Sequence, residues 1–282
     1  CASWFEGRLW EENVGEVADH QFFDATTVVG LGFSQPGVDN ILGETDLIFG
    51  DILVTADNVS GGAVIKVDPD TGVQSPLFVG QNRFGNLALE NSGTVLVQET
   101  QAIVRIDLKA GTRSVISTGP LAILDALDSR GNIYGVGKPS FSEPPAVVRI
   151  DSSTGTQTVI SSGDNFPLFG TSAGGVSVDE GTGQIYVELT DLNRGEGKLI
   201  RVDPGSGNQT VVTTFPAGRP FRFRDIVVDQ QGEVILADPL NTSFEPEILR
   251  ISGGGARSTV TSNGLLVEPY SLAFDQNGQL LV

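Results

Sequence analysis

The 282-residue sequence has no methionine, one cysteine, one histidine and few positive charges, with 17 Lys and Arg against 35 Asp and Glu. Each shortage removes a class of function. A lone cysteine, Cys1, cannot form an internal disulfide. His20 has no second histidine with which to share a zinc ion. Any Ser-His-Asp triad would have to be built on His20, in a poorly patterned N-terminal segment. The net charge of −18 and a pI near 4.3 repel nucleic-acid phosphates and anionic lipid headgroups, which excludes nucleic acid as a partner. No apolar run approaches the ~20 residues that a membrane-spanning helix needs.

Methionine is missing even at position 1, so a removed leader is expected. The start Cys1-Ala2-Ser3 fits a bacterial lipoprotein after signal cleavage, with a lipid anchor on Cys1. It fits equally a processing boundary that fell on a cysteine. The expected location is secreted, periplasmic or cell-surface. A chain of this length can bury roughly 75% of its unfolded surface and needs no disulfide or metal to fold.

What the sequence does have is repetition. "AIVRIDLKAGTRSVIS" (102–117), "AVVRIDSSTGTQTVIS" (146–161) and "KLIRVDPGSGNQTVVT" (198–213) are three copies of one motif. "AVIKVDPDTGVQSPLF" (63–78) and the degenerate "EILRISGGGARSTVTS" (247–262) are two more. Each alternates apolar and polar residues, turns at a glycine and alternates again, which is a β-hairpin pattern. In the shared D-x-x-x-G the acid bonds backbone amides ahead of it, and the glycine supplies the left-handed residue that closes the turn. Asp68-Pro69-Asp70-Thr71-Gly72 also has the look of a calcium loop, but the other copies lack its second acid.

A second hairpin repeat lies between the copies of the first, as in "AILDALDSRGNIYGVG" (122–137), "GGVSVDEGTGQIYVEL" (174–189) and "RDIVVDQQGEVILAD" (224–238). Further copies are "GNLALENSGTVLVQE" (85–99), "YSLAFDQNGQLLV" (270–282) and the less regular "ILGETDLIFGDILVTAD" (41–57). The unit is four antiparallel strands in about 40–50 residues, the period of a propeller blade. The expected fold is all-β, a six-bladed β-propeller of four-stranded antiparallel blades. Its last blade would be closed by N-terminal strands from residues 6–23, which removes the exposed sheet edges. Residues 1–40 are assigned to that closing segment and 41–282 to the propeller, one domain overall.

"DSRGNIYGV", "DEGTGQIYVEL" and "DQQGEVILAD", each followed by an apolar-Arg-apolar run, resemble the NHL-type and SMP-30/streptogramin-lyase-like six-bladed propellers. The resemblance implies ligand binding at one mouth of a central channel. Streptogramin-lyase-like activity would require a histidine in the later blades, and this sequence has none there. SMP-30-like lactonases hold a divalent metal with a Glu, an Asn and an Asp, an all-oxygen set that suits calcium. The resemblance places that Glu in Leu42-Gly43-Glu44, at the start of the first innermost strand. Asn86 and Asp225 fall near the other two ligand positions, each one residue out of register, which turns a strand side chain to the opposite face.

Other residues stand out on their own. Asp125 occupies an innermost-strand position filled elsewhere by Leu87, Val176, Ile226 and Leu272. It either lines the channel or marks a misalignment. Asp57, Glu99, Asp191 and Asp238 end second strands, and form either a cation ring or caps within their own blades. "AGRPFRFRD" (217–225) places Arg219, Arg222 and Arg224 together, as an anion-binding mouth or as neutralisers of neighbouring acids. No catalytic set is complete. The expected function is therefore a non-catalytic extracellular or cell-surface binding or assembly module without a cofactor, its partner a protein or a small anionic ligand. The alternative is a calcium-dependent SMP-30-like lactonase or esterase with Glu44, Asn86, Asp125 and Asp225 around the metal.

Overall fold

The computed structural model describes residues 52–58, 61–68, 70–91, 93–140, 142–166, 171–191, 195–216, 225–238, 245–262, 269–274 and 278–282, with residue 266 and the short strands given below. Near the N-terminus β1 (Trp4–Phe5) pairs with β2 (Arg8–Leu9). The first four-stranded sheet is β3 (Thr27–Phe33), β4 (Ile52–Asn58), β5 (Gly61–Val67) and β6 (Gln74–Val79). The second is β7 (Phe84–Asn91), β8 (Thr94–Glu99), β9 (Ala102–Asp107) and β10 (Thr112–Thr118), and the third is β11 (Ala126–Leu127), β12 (Asn132–Gly137), β13 (Ala146–Asp151) and β14 (Gln157–Ser162). The fourth is β15 (Thr171–Val178), β16 (Ile185–Asp191), β17 (Glu196–Val202) and β18 (Gln209–Phe215), and the fifth is β19 (Ile226–Val228), β20 (Val234–Asp238), β21 (Glu247–Ile251) and β22 (Arg257–Ser262). A two-stranded sheet, β23 (Ala273–Phe274) with β24 (Leu280–Leu281), follows. Strands run in sequence order across each sheet, so the fold is an all-β propeller of four-stranded antiparallel blades.

Five complete blades are present among the described residues, where six were expected. After the fifth blade the only strands among the described residues are β23 and β24, a two-stranded sheet. The strands assigned to close the sixth blade, residues 6–23, lie outside the described residues apart from Arg8–Leu9, which pairs with Trp4–Phe5. The innermost strand of the first blade is also displaced. The strand opposite β4 is β3, with Phe33 facing Ile52 and Thr27 facing Asp57, and not the first half of the 41–57 copy that begins at Leu42-Gly43-Glu44. The two strands are separated by 18 residues, 34–51, far more than a hairpin turn spans, which hid this pairing.

The chain divides into two compact units, Cys1–Thr100 with Val104–Ser114, and Gln101–Ile103 with Val115–Val282. Within each, the third-to-fourth-strand turns are hairpins of the expected kind. Oδ1 of Asp151 accepts hydrogen bonds from the amides of Ser153 and Thr154 (both 2.9 Å), and Gly155 closes the turn at φ 72°. Asp203 repeats this with Gly205 (3.0 Å) and Ser206 (2.7 Å). Asp68 does so with Asp70 (2.9 Å) and Thr71 (3.0 Å), so the carboxylate of the calcium-like loop is occupied in shaping its own turn.

The second unit shows why the sixteen-residue motif recurs. A β-bulge leaves Ile160 unpaired in β14, between Val147↔Ser161 and Val148↔Val159. The next blade's turn docks on that bulge: a methyl group at Gly207 would collide with the Ile160 carbonyl. Ser161 Oγ donates to the Gly207 carbonyl (2.6 Å), and Gln209 Nε2 donates to Ser161 Oγ (3.0 Å). One blade earlier, Gly155 meets the Ile116 carbonyl, Ser117 Oγ donates to Gly155 (3.3 Å), and Gln157 Nε2 donates to Ser117 Oγ (2.8 Å) and the Thr118 carbonyl (3.0 Å). One blade later, Gly255 meets the Val212 carbonyl, and Arg257 bonds Thr213 Oγ1 (2.9 Å) and lies 4.3 Å over the Phe215 ring. In the third, fourth and fifth blades the motif clasps the blade to the outer strand of the one before. Apolar side chains fill the layers between blades, with Tyr186 of the fourth in one core cluster with Val234 and Leu236 of the fifth.

Candidate functional site

Glu44, Arg219, Arg222 and Arg224 lie outside the described residues. Of the remaining candidates, Asn86 is exposed on β7, in the first unit. Asp125 and Asp225 are both in the second unit, immediately before β11 and β19. Pairings Leu87↔Val97 and Ile226↔Leu236 put Asn86 and Asp225 at equivalent positions, each one residue ahead of a buried apolar residue of its innermost strand. Ser271, ahead of the buried Leu272, is the corresponding residue of the two-stranded sheet.

Both oxygens of the Asp225 carboxylate accept hydrogen bonds. Oδ1 accepts the Ile226 amide (2.8 Å), and Oδ2 accepts the Leu272 amide (2.8 Å) and the Ser271 hydroxyl (3.1 Å). It thus ties the head of β19 to the segment leading into β23. Burial pushes its pKa up to about 7; the three hydrogen bonds oppose this, and the negative charge of Asp125 adds to it. Asp125 does occupy an apolar innermost position. Ala126↔Tyr134 sets it opposite Gly135, where Ile226 stands opposite Leu236 in the fifth blade. Gly135 leaves room for the carboxylate, whose Oδ2 accepts the Val136 amide (3.2 Å).

The second-strand acids divide. In the first unit Glu99 is nearly buried and bonded by Arg113 (2.7 and 2.5 Å) and Asn82 (2.8 Å). Burial alone would raise its pKa, but Arg113 and Asn82 outweigh that and hold it below the usual carboxylate range. It therefore acts within its own blade. Asp191 begins a turn, its carbonyl accepting the Gly195 amide (2.7 Å). Asp57 side-chain placement lies outside the described residues.

Asp238 belongs to a second acidic pair that sequence reasoning missed. Glu188, in the middle of β16, is 0% exposed. Its Oε1 accepts the Thr190 hydroxyl (2.9 Å), whereas Oε2 has no hydrogen-bond partner. Burial raises its pKa to about 8, against hydrogen bonds from Thr190 and the Gly174 backbone, and the charge of Asp238 raises it further. The signal was present in the sequence: Glu188 interrupts "IYVELTD", at a position held by Thr55, Val136 and Ala237 in other blades. Among the described residues no group of three or more His, Cys, Asp or Glu side chains is placed to hold a metal ion.

These features define a β-propeller with buried carboxyl groups at Asp225 and Asp238 of the fifth blade and Glu188 of the fourth. No protein-family model matches the chain, and no curated protein matches it in sequence. Solved structures do match in fold. A gluconolactonase of Xanthomonas campestris is 14% identical, with a TM-score of 0.63 over 91% of this chain and 82% of that one. A putative TolB of Agrobacterium tumefaciens is 10% identical, with a TM-score of 0.61 over 84% and 81%. The nidogen/laminin complex contains a chain 11% identical, with a TM-score of 0.60 over 87% and 81%. The fold is that of the lactonase-type propellers the sequence resembles; identities this low establish nothing further.

Proposed function

We propose that this protein is a non-catalytic binding and assembly module, extracellular or at the cell surface, whose partner is a protein or a small anionic ligand. The observation that carries this reading is the state of Asp225. The acid best placed to be the aspartate ligand of a lactonase metal accepts three hydrogen bonds from its own chain. Asp125 likewise accepts a backbone amide. Both hold backbone of their own chain, so a calcium ion, which takes six to eight oxygens, would compete with those hydrogen bonds for the same carboxylates. The same fold occurs in the nidogen/laminin complex, a protein–protein assembly. The arginines at 219, 222 and 224 are the anion-binding element of this reading, and Cys1 is its lipid-anchor position.

Calorimetric titration with calcium, on the wild type and Glu44→Gln, together with a panel of simple lactones, tests it. Expected are weak calcium binding unaffected by Glu44→Gln, and no lactone hydrolysis above background. One tight site abolished by Glu44→Gln, or measurable turnover, would make the calcium-dependent lactonase the better reading. Inorganic phosphate and citrate titrated into wild type and the Arg219/Arg222/Arg224→Gln triple variant test the anion element, with at least tenfold weaker binding expected in the variant.

A further inference from the structure

The pair Glu188 and Asp238 is unused by that function and has a physical role of its own. Strand alternation places both in the layer between the fourth and fifth blades. Tyr186 on β16 belongs to the same core cluster as Val234 and Leu236 on β20, so Glu188, two residues beyond Tyr186, and Asp238, two beyond Leu236, lie on the strand faces turned to that shared layer. Both are sealed from water, at 0% and 2% exposure. Two ionised carboxylates cannot share a dry layer cheaply, and a buried oxygen with no donor carries a further desolvation cost. A proton on Glu188 Oε2 neutralises one acid and makes that oxygen a donor, able to hydrogen-bond to the one other buried carboxylate of this layer that acts on it, Asp238.

We propose that Glu188 and Asp238 form a proton-held latch between the fourth and fifth blades, closed while Glu188 carries a proton and loosened when both carboxyls are ionised. Among the described residues, other ionisable groups stand near this layer. Arg201 lies across from Tyr186, two positions down the strand. Glu247, cross-strand from Asp238, adds negative charge and bonds Thr259 (3.4 Å). Asp225 directs its carboxylate to Ser271 and Leu272, and Asp191 ends β16. From β15, Gly174 and Gly175 contribute only backbone.

The sign of the pH dependence follows. An acid whose folded pKa is raised gives stability that is full below its unfolded value near 4.5 and lost as pH rises toward about 8. Wild-type melting temperature should therefore fall between pH 5 and 8. Glu188→Gln mimics the protonated acid, so it should match wild type at pH 5, exceed it at pH 8 and show a shallower fall, with the remainder coming from Asp225. Above pH 8, amide exchange should quicken in β16 and β20 of the wild type and not in Glu188→Gln, with β12 as the internal reference. In the wild type alone, infrared spectra with labelled glutamate should show a protonated carboxyl band persisting at pH 7. Equal pH slopes in the two proteins, or no such band at pH 7, would overturn the proposal. So would a calcium-dependent rise in melting temperature at pH 8 that Glu188→Gln abolishes, which would make the pair a cation site.

Discussion

The two units join their blades by different chemistry. In the second unit each joint is a polar clasp: a hydroxyl on an outer strand (Ser117, Ser161 or Thr213), a docking glycine, and a Gln or Arg that closes over it. In the first unit the residue at the hydroxyl position is Phe78, which stacks on Phe84 of β7 with ring centroids 6.2 Å apart. Thr55 Oγ1 supplies the hydroxyl contact from another strand, donating to the Gly85 carbonyl (2.7 Å). The rest of the motif changes with it. Arg113 stands where Gln157 and Gln209 do, and turns to Glu99 in its own blade. Gly111 keeps a positive φ of 63°, but a Cβ there would meet nothing within 4 Å. A repeat can thus keep its turn while giving up its clasp, and the two requirements on its glycine become separable.

The largest expected effect breaks the comparison at that glycine. Gly155→Ala imposes a left-handed conformation on a residue with a Cβ and drives that carbon into the Ile116 carbonyl. Gly111→Ala imposes only the first, about 1 kcal/mol. With a backbone collision added, Gly155→Ala should cost on the order of 3 kcal/mol. Chemical denaturation of the two variants measures the difference, and equal losses would show that the turn does not dock.

A smaller effect sharpens the comparison at the closing residue. Arg113→Ala leaves Glu99 buried without its cation, and removing one partner of a buried pair is costly. Because the Arg113 side chain is 34% exposed, solvent screening reduces the loss, to about 2 kcal/mol. Gln157→Ala loses neutral hydrogen bonds at a partly exposed rim, about 1 kcal/mol. Urea melts giving the reverse order would mean that the clasp, and not the Arg113–Glu99 pair, carries more of the stability.

Much of this was legible in the sequence because it depends on local rules. Alternation, the Asp-started turn and the repeat period identify hairpins and blades without tertiary knowledge, and the turn bonds of Asp68, Asp151 and Asp203 follow from them. The innermost strand of the first blade was misplaced because Thr27–Phe33 pairs across a long connection that periodicity cannot bridge. The position of Asp125 was readable by alignment, but its accommodation depends on Gly135 across the sheet. Glu188 was overlooked because its meaning depends on a neighbouring blade: a lone acid in a strand reads as a surface residue until Asp238 and the closed layer around it are seen.

The smallest effect lies at the turn acids common to both units. Asp68, Asp107, Asp151 and Asp203 each accept two amides two and three residues ahead, whether or not the turn then docks. The hydroxyl of Ser153, and then the amide of Thr154, hold the Asp151 carboxyl below its usual value; for Asp203 the Ser206 amide does so first. A depressed pKa gives stability that is present above the unfolded value near 3.8 and lost as pH falls through the folded one. Asp151→Ala should therefore lower the melting temperature slightly at pH 7, by the same amount with calcium or with chelator, and the deficit should shrink below pH 4. Asp107→Ala should behave alike at pH 7, because the bonds that shape the turn are the same in an undocked hairpin. A deficit that appears only with calcium would show that these acids bind the ion. A much larger loss for Asp151 than for Asp107 would mean that the acid supports the clasp as well as the turn.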